Sequence, residues 1–548
     1  MNVAQAVGRS LAAHGVDHVF GVVGSGNFHV TNALVAAGAR FFAAAHEGGA
    51  ASMADGYARV SGRLPALSVH QGPGVTNALT GIVEAAKSRT PMIVLAPEAT
   101  SARSNFFIDL AAIAASIGAG FHRVAPDRVA ADVADACRRA MAGAGQTMIL
   151  ALPLEVQSLP AGESSHLAFV DDAVAAPLPD LGPLLEALTT AQRPMFIAGR
   201  GATRQASAAR TQLTALAEQC GALLAVSAAA KGLFAGDPWY LDVSGGFATP
   251  LAAELIAAAD LVVAWGCTLN MWTTRHGRLI SAGTTVAQID LNPAALSVNR
   301  RVDLAICGDL IDTARACTEE LARRHAPRSQ GFRTPALRTR IAAEGRWRDV
   351  PYADESEAGR IDPRTLSIAL DDLLPVQRTV VIDSGNFMGY PSMFLSVPDA
   401  AGFCFTQAYQ SIGLGLSSAL GAAIARPDRL TMAALGDGGF LMSVAELTTA
   451  ARVGLPLMIV VYDDAAYGAE VHHFGPDGHP LGTVTFPDTD LAAIARGFGC
   501  TGITVRSPED LAGVRDWVAG PRDRPLVIDA KVASSHASWW LEEAFRGH

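Results

Sequence analysis

The 548-residue sequence has no CxxC pair, no signal-peptide core in Met1–Gly15 and no long basic run. Each absence removes a class of protein. The seven cysteines (Cys137, Cys220, Cys267, Cys307, Cys317, Cys404 and Cys500) are odd in number and widely spaced. Such a set fits reduced thiols and predicts a cytoplasmic protein rather than a disulfide scaffold. The Ala-rich stretches are broken by charges, and none reaches the roughly 18 strongly apolar residues of a membrane span. No membrane association is expected. A net charge of −10 argues against nucleic acid as the main partner. It leaves room for an anionic substrate, because a local site overrides the global charge.

Half of the residues are hydrophobic and 17% are charged, so a large core is available. Short apolar runs alternate with longer Ala/Leu patterns. Val19–Val23, Ala66–Val69 and Met92–Ala96 read as strands; Asn2–His14 and Gly48–Val60 read as helices. The alternation resumes at Pro194–Ala198, Leu261–Trp265 and Thr285–Leu291, and again at Thr379–Asp383. The predicted class is α/β, with three doubly wound parallel-sheet domains over 1–165, 185–325 and 360–548. A Pro-, Ser- and Asp-rich stretch near Ser158–Pro183 separates the first pair, and an Arg-rich connection over Arg323–Arg360 the second. No short-period repeat is present. The similar build of the blocks hints at duplication.

The sharpest local signal lies in the third block. Thr431–Leu435 reads as a strand, with Gly436-Asp437-Gly438-Gly439 at its end. Ser443–Val453 reads as a helix, Leu457–Tyr462 as the next strand, and Asp463-Asp464 closes it. In such a βαβ unit the two strand ends are neighbours, where open α/β sheets bind ligands. Glycines let backbone N–H groups approach a diphosphate. Asp437 is a hard oxygen ligand for Mg²⁺ or Ca²⁺, and Asp464 supplies a second. A glycine turn and an unrelated acidic turn would leave the same letters. The strand before the turn and the carboxylate at the next strand end favour a site.

The Gly-Asp-Gly string with an acidic pair 25 residues on resembles the metal–diphosphate motif of thiamine-diphosphate enzymes of the acetolactate synthase, pyruvate decarboxylase and benzoylformate decarboxylase type. In that family the second residue of an Asn pair binds the metal. Asp464 stands there in this sequence, which adds negative charge that a divalent ion must offset. By this resemblance the Ala466 carbonyl completes the Mg²⁺ ligands, and Tyr467-Gly468 continues the cofactor loop. Gly385-Asn386-Phe387 matches a second diphosphate-contacting loop. Ser411-Ile412 matches the segment whose bulky residue props the cofactor in a bent shape.

The same resemblance extends to the first block. His46-Glu47-Gly-Gly-Ala50 is similar to the family's activating-glutamate motif, and the turn His70–Asn77, with Pro73 and Asn77, follows at the family's distance. On local grounds alone Glu47 is a capping carboxylate at a helix start. The resemblance implies that it hydrogen-bonds N1′ of the aminopyrimidine and favours the tautomer that removes the thiazolium C2 proton. That role calls for apolar surroundings that raise its pKa. In the middle block, Ala229–Phe234 and Ile289–Pro293 join the resemblance. It also implies a homodimer or homotetramer, with Glu47 from one subunit and the diphosphate loops from another.

The substrate pocket is less fixed. Ser25 and His70 are placed like the serine and histidine that bind the carboxylate and relay protons in benzoylformate decarboxylase; His70 also reads as a structural histidine. His29 and His472-His473 are further candidates. Phe106 stands where acetolactate synthases carry a glutamine. Thr268–Thr273 replaces their Arg-Phe-Asp-Asp-Arg string, so FAD is not expected. The histidine pair of pyruvate decarboxylase is missing too. Trp272, Phe106 and Phe107 imply a pocket more apolar than pyruvate needs. The aromatic tail Ser534–Phe545 reads as a lid or as a docked segment. The expected reaction is decarboxylation of a pyruvate-like 2-oxoacid with transfer of the acyl unit to an acceptor carbonyl. Simple decarboxylation to an aldehyde, a flavin oxidase and a non-catalytic cofactor-binding homologue are the alternatives.

Overall fold

The computed structural model describes residues 1–162 and 178–541. Most of the expected Ser158–Pro183 linker and the end of the aromatic tail, from Glu542 onward, lie outside the described residues. Among the described residues eighteen strands form three six-stranded sheets, with every strand pairing parallel. The first sheet holds β1 (His18–Gly21), β2 (Arg40–Ala43), β3 (Ala66–Ser68), β4 (Met92–Glu98), β5 (Gly120–Arg123) and β6 (Thr147–Pro153). The second holds β7 (Pro194–Ala198), β8 (Leu223–Val226), β9 (Tyr240–Val243), β10 (Leu261–Trp265), β11 (Thr285–Asp290) and β12 (Leu304–Cys307). The third holds β13 (Arg378–Ile382), β14 (Phe403–Phe405), β15 (Leu430–Gly436), β16 (Leu457–Asp463), β17 (Thr501–Val505) and β18 (Leu526–Lys531). Central strands such as β4 and β16 are buried along their whole length. Helices cover both faces of a parallel sheet, so these strands read as continuous apolar runs.

The blocks are not three equal copies. The first and third sheets run β2-β1-β3-β4-β6-β5 and β14-β13-β15-β16-β18-β17, the same order once each is counted from its own first strand. The central sheet runs β12-β11-β10-β7-β8-β9, a different winding. Two details also depart from the sequence pattern. The helix expected over Ser443–Val453 begins at Asp437, runs to Ser443, tightens through Val444–Glu446 and resumes over Leu447–Val453. The Arg-rich connection contains its own helix, Pro335–Glu344, capped by the Thr334 hydroxyl.

Helix Glu47–Ser61 follows β2, and helix Gly415–Ala425 is its counterpart after β14. They pack against each other across the first and third domains. A Cβ at Gly56 would collide with the Ser418 carbonyl, and one at Gly421 with the Met53 carbonyl. These glycines are there because the helix backbones approach too closely for any side chain. Met53 and Tyr57 then share one core with Leu416 and Leu420. The two sheets that carry the candidate cofactor motifs are thus joined in one chain.

Candidate active site

The diphosphate-type cradle sits at the C-terminal ends of β13, β15 and β16. Asp383, just past β13, is fully buried. It accepts backbone N–H groups of Ser384 (2.9 Å), Gly413 (2.9 Å) and Leu414 (3.3 Å). Burial pushes its carboxyl up to about 6, against those donors. The carboxylate thereby ties the loop of Ser411 and Ile412 to the strand end. A Cβ at Gly439 would lie 2.6 Å from Asp383 Oδ2, and one at Gly438 2.5 Å from the Tyr467 ring. Gly436 and Gly385 are bounded by the Phe387 ring, which stacks on Tyr462 at 5.5 Å. Gly385 itself has φ +140, which favours glycine. The glycines of this turn are fixed by steric room.

Asp437 and Asp464 close the cradle at adjacent strand ends, with Gly436 paired to Tyr462 in the ladder. Burial and then Asp463 push the Asp437 carboxyl up to about 7. Burial, then Asp437 and Asp463, push Asp464 up to about 8. Two carboxyls that resist ionising together call for a cation, and carboxylate oxygens suit Mg²⁺. Among the described residues no trio of His, Cys, Asp and Glu side chains converges on a metal position. The donor set therefore fits Mg²⁺ only with a backbone carbonyl and ligand oxygens added. Ala466 lies on the turn after Asp464, bridged to Thr485, and Ala465 there takes φ +57.

Asp463 faces the other way. The Lys531 ammonium, buried, donates to Asp463 Oδ2 (2.6 Å) and Thr489 O (2.8 Å), and pairs with Asp488 (2.6 Å) and Asp529 (3.2 Å). One acid of the pair is thus neutralised by lysine and the other is left for the cradle. Neither Lys531 nor Asp383 stands out in the sequence. The available signal is an ionic residue inside an otherwise apolar strand run.

A cleft of about 2660 Å³ contains Gly385, Asn386, Phe387, Ile412, Gly436–Gly439, Asp464, Ala466, Tyr467 and Gly468. It continues to the ends of β7 and β10, where the central strand order reverses, past Arg200, Gly266 and Asp290. Burial, then neighbouring arginines, lower Arg200 to about 10. Ser411 is not part of that wall; its hydroxyl turns to the Ile412 carbonyl at 3.2 Å. The described part of the tail is docked. Ser538 and the Trp540 indole donate to Asn386 O at 3.1 and 2.9 Å, and Trp540 packs on Trp272 at 5.8 Å. Ser538 also bonds Asn386 Oδ1 at 3.0 Å.

The first-domain candidates gather elsewhere, and none lines this cleft. Asn77 Nδ2 donates to Glu47 Oε2 at 3.1 Å. Ser25 Oγ lies 3.3 Å from His70 Nε2, and His70 Nδ1 contacts Gln71 O at 3.0 Å. The Phe106 ring meets His70 edge-on at 5.5 Å. Ser25, Pro73, Asn77, Phe106 and Phe107 are exposed, and Glu47 is half-buried. The apolar enclosure expected around Glu47 is not supplied by its own chain. His29 is exposed. His472 is half-buried on the helix after the Asp464 turn, its pKa lowered by burial and then by His536. Trp272 packs on the tail and lines the cleft, whereas Phe106 and Phe107 do not.

The descriptions "thiamine pyrophosphate enzyme, N-terminal TPP binding domain", "central domain" and "C-terminal TPP binding domain" match residues 1–109, 181–317 and 383–530. A probable 2-ketoarginine decarboxylase of Pseudomonas aeruginosa is 30% identical over 95% of this chain and 92% of its own length. A sulfoacetaldehyde acetyltransferase of Rhodobacter capsulatus is 28% identical, covering 93% and 90%. The acetolactate synthase isozyme 2 large subunit of Escherichia coli is 25% identical, covering 99% and 97%. The chain belongs to the thiamine pyrophosphate enzyme family. Both cofactor-binding domains of that family are present, which implies thiamine diphosphate as cofactor. No helix among the described residues is long and apolar enough to cross a membrane.

Proposed function

We propose that the protein uses thiamine diphosphate with Mg²⁺ to decarboxylate a pyruvate-like 2-oxoacid and pass the acyl unit to an acceptor carbonyl, an acetolactate synthase-like carboligation. One observation carries the reading: Asp437 and Asp464 lie at adjacent strand ends, their ionisation held back first by burial and then by neighbouring carboxylates, beside glycines that leave no room for side chains. Similarity over at least 90% of both lengths to a sulfoacetaldehyde acetyltransferase and an acetolactate synthase subunit supports the transfer step. The cofactor supplies the electron sink at the carbonyl carbon. The chain supplies the rest. Asp437, Asp464 and the Ala466 carbonyl hold Mg²⁺. Gly385, Asn386, Gly436, Gly438, Gly439 and Gly468 face the diphosphate, while Phe387, Tyr467, Ser411 and Ile412 shape the seat.

Glu47 holds a proton at the pyrimidine N1′ atom, oriented by Asn77 and bordered by Pro73. Ser25 and His70 bind the substrate carboxylate. The working units are residues 1–165, 185–325 and 360–548, in a cytoplasmic homodimer or homotetramer. The exposure of the Glu47 group in a single chain supports a partner subunit that encloses it against a cradle. A monomer is then inactive.

A second reading has its own support. The Ser25–His70 contact offers a proton donor, which favours release of a free aldehyde in the manner of benzoylformate decarboxylase. Product analysis separates the two, using pyruvate alone and pyruvate with an aldehyde or diketone. Carboligation gives a condensed product; free aldehyde alone replaces the first reading with the second.

A further inference from the structure

We propose that two buried glutamates, Glu446 and Glu84, are reciprocal positioning residues. Each reaches from one cofactor-binding domain into the other and fixes the backbone beside a cofactor-facing residue. Glu446, in the third domain, acts on the segment before Glu47. Glu84, in the first, acts on the segment before Ile412. The inference rests on the roles proposed above for Glu47 and Ile412.

Glu446 and Glu84 are 2% and 1% exposed. Glu446 Oε1 accepts two successive amides, Ala45 N (3.1 Å) and His46 N (3.0 Å), while Oε2 accepts Ala45 N (3.1 Å) and the Thr449 hydroxyl (2.6 Å). Glu84 also takes two successive amides, Ala408 N at Oε1 (3.1 Å) and Tyr409 N at Oε2 (2.6 Å), with the Ser88 hydroxyl at 3.3 Å. An arginine completes each clamp. Arg452 donates to Ala43 O at the end of β2, and Arg59 donates to Phe405 O at the end of β14 (2.8 Å); Arg59 also pairs with Glu84 itself (2.7 Å), whereas the Arg452 bonds run to Ala43 O and the Thr449 hydroxyl.

The correspondence is topological as well as chemical. β2 and β14 are the same edge strand of two sheets with one order. Glu84 lies on the helix after β3, and Glu446 lies in the helical run after β15, the equivalent strand. The arginines come from non-equivalent helices, Glu47–Ser61 and Leu447–Val453, so duplication alone does not account for the match.

Ordinary domain adhesion does not need this arrangement. The Gly56 and Gly421 helices already join the domains. Among the described residues Glu446 has no cationic partner, so a buried carboxylate is held by amide dipoles and a hydroxyl alone, a costly way to add adhesion. What it gains is a fixed backbone at the two residues preceding Glu47. Misplacement of a reacting group by about 1 Å costs roughly 100-fold in rate.

The test uses the full-length protein. Amide hydrogen exchange is read on the cofactor-free protein. Cofactor affinity and deuterium exchange at C2 of bound thiamine diphosphate are read on the holoenzyme. Glu446→Ala is expected to deprotect Ala45 and His46 and to slow C2 exchange by about 100-fold. The cofactor dissociation constant should stay within a few-fold. Glu446→Gln keeps one oxygen facing both amides and should restore most of the rate. Glu84→Ala should deprotect Ala408 and Tyr409 instead, with its loss in cofactor affinity. If Glu446→Ala does not fold, Thr449→Val frees Oε2 and should give the same pattern on a smaller scale.

Unchanged C2 exchange in Glu446→Ala overturns the proposal. So does parallel loss of protection in both loops together with affinity, which is what a loosened interface would give. Unchanged C2 exchange in Glu47→Gln sinks the role assigned to Glu47, whereas the amide protection tests the clamp without it.

Discussion

The ends of β15 and β2 hold the two acids on which the proposed chemistry turns, and their surroundings are opposite. Asp437 is 6% exposed and shares its enclosure with Asp463 and Asp464. Glu47 is half-buried and held by one side-chain amide, from the exposed Asn77. β15 is an interior strand and β2 an edge strand of sheets with one order, so the difference lies in strand position as well as in the segments just past the strand ends. After β15 come glycines that let backbone and ring close in. After β2 comes a helix whose outer side its own chain leaves open. Sheets of one strand order can therefore carry an enclosed cradle and an open activator, and close contact between two such chains would supply the missing enclosure.

The contrast breaks first on two substitutions. Asp437→Ala should abolish Mg²⁺-dependent binding of thiamine diphosphate, read by equilibrium titration. Glu47→Gln should leave that binding near the parent value and lower turnover by about 10²–10⁴-fold, the range of a positioned acid–base group. Equal loss of binding in both would show that the two ends do one task. Turnover unaffected by Glu47→Gln would favour a non-catalytic homologue.

Lys531 sharpens the cradle side. The chain's lysines are Lys87, Lys231 and Lys531, and the last is buried among Asp463, Asp488 and Asp529. Removing one partner of a buried ion pair costs about 3–5 kcal/mol, because the remaining charge stays unpaired. Lys531→Met should lower the denaturant midpoint of the third domain, and Lys531→Met with Asp463→Asn should recover part of it. A single variant as stable as the parent would show that Lys531 is not what neutralises Asp463.

Much of the cradle and of the Glu47 helix is legible in the sequence because both are local strings. Gly436–Gly439 and Asp464 are fixed by strand ends that apolar runs already mark. The remainder depends on distant contacts. Glu446 meets Ala45 some 400 positions away, and nothing near either residue announces it. The sequence pattern starts the Asp437 helix too late because paired glycines carry low helix propensity, which tertiary packing overrides here. The strand orders that set the central sheet apart arise from pairing between blocks of sequence, which periodicity does not encode.

The raised carboxyls give the comparison a pH axis. Asp437 and Asp464 sit at about 7 and about 8, above the ordinary value near 4. A carboxyl with a raised folded pKa binds its proton more tightly in the fold. Its favourable contribution is fully present below the unfolded value near 4, falls as pH rises above that value, and is gone once pH has passed through the folded values of about 7 and 8. The cofactor-free protein should therefore lose stability over that rise. Mg²⁺ must displace those protons, so its affinity should climb by up to about tenfold per pH unit over the same window. Titration of Mg²⁺ with thiamine diphosphate at pH 6 to 9 reads the slope. A flat profile would mean that the carboxyls are already ionised.

The smallest effect tests how far the Asp464 turn is preorganised. Ala465 has φ +57, a conformation that costs a non-glycine residue about 1 kcal/mol. The Asp463 carboxylate accepts its amide at 3.0 Å and holds it there. Ala465→Gly relieves the strain but gives the unfolded and open loop more freedom, an opposing term of about 0.4–1 kcal/mol. Mg²⁺ affinity should accordingly change by less than about fivefold, towards tighter binding. Tighter binding would mean that the strain works against the bound state. Binding weakened beyond that range would mean that the methyl group and the Asp463 contact together hold the Ala466 carbonyl in place. The Asp463–Lys531 pair would then belong to the seat of the metal as much as to the core.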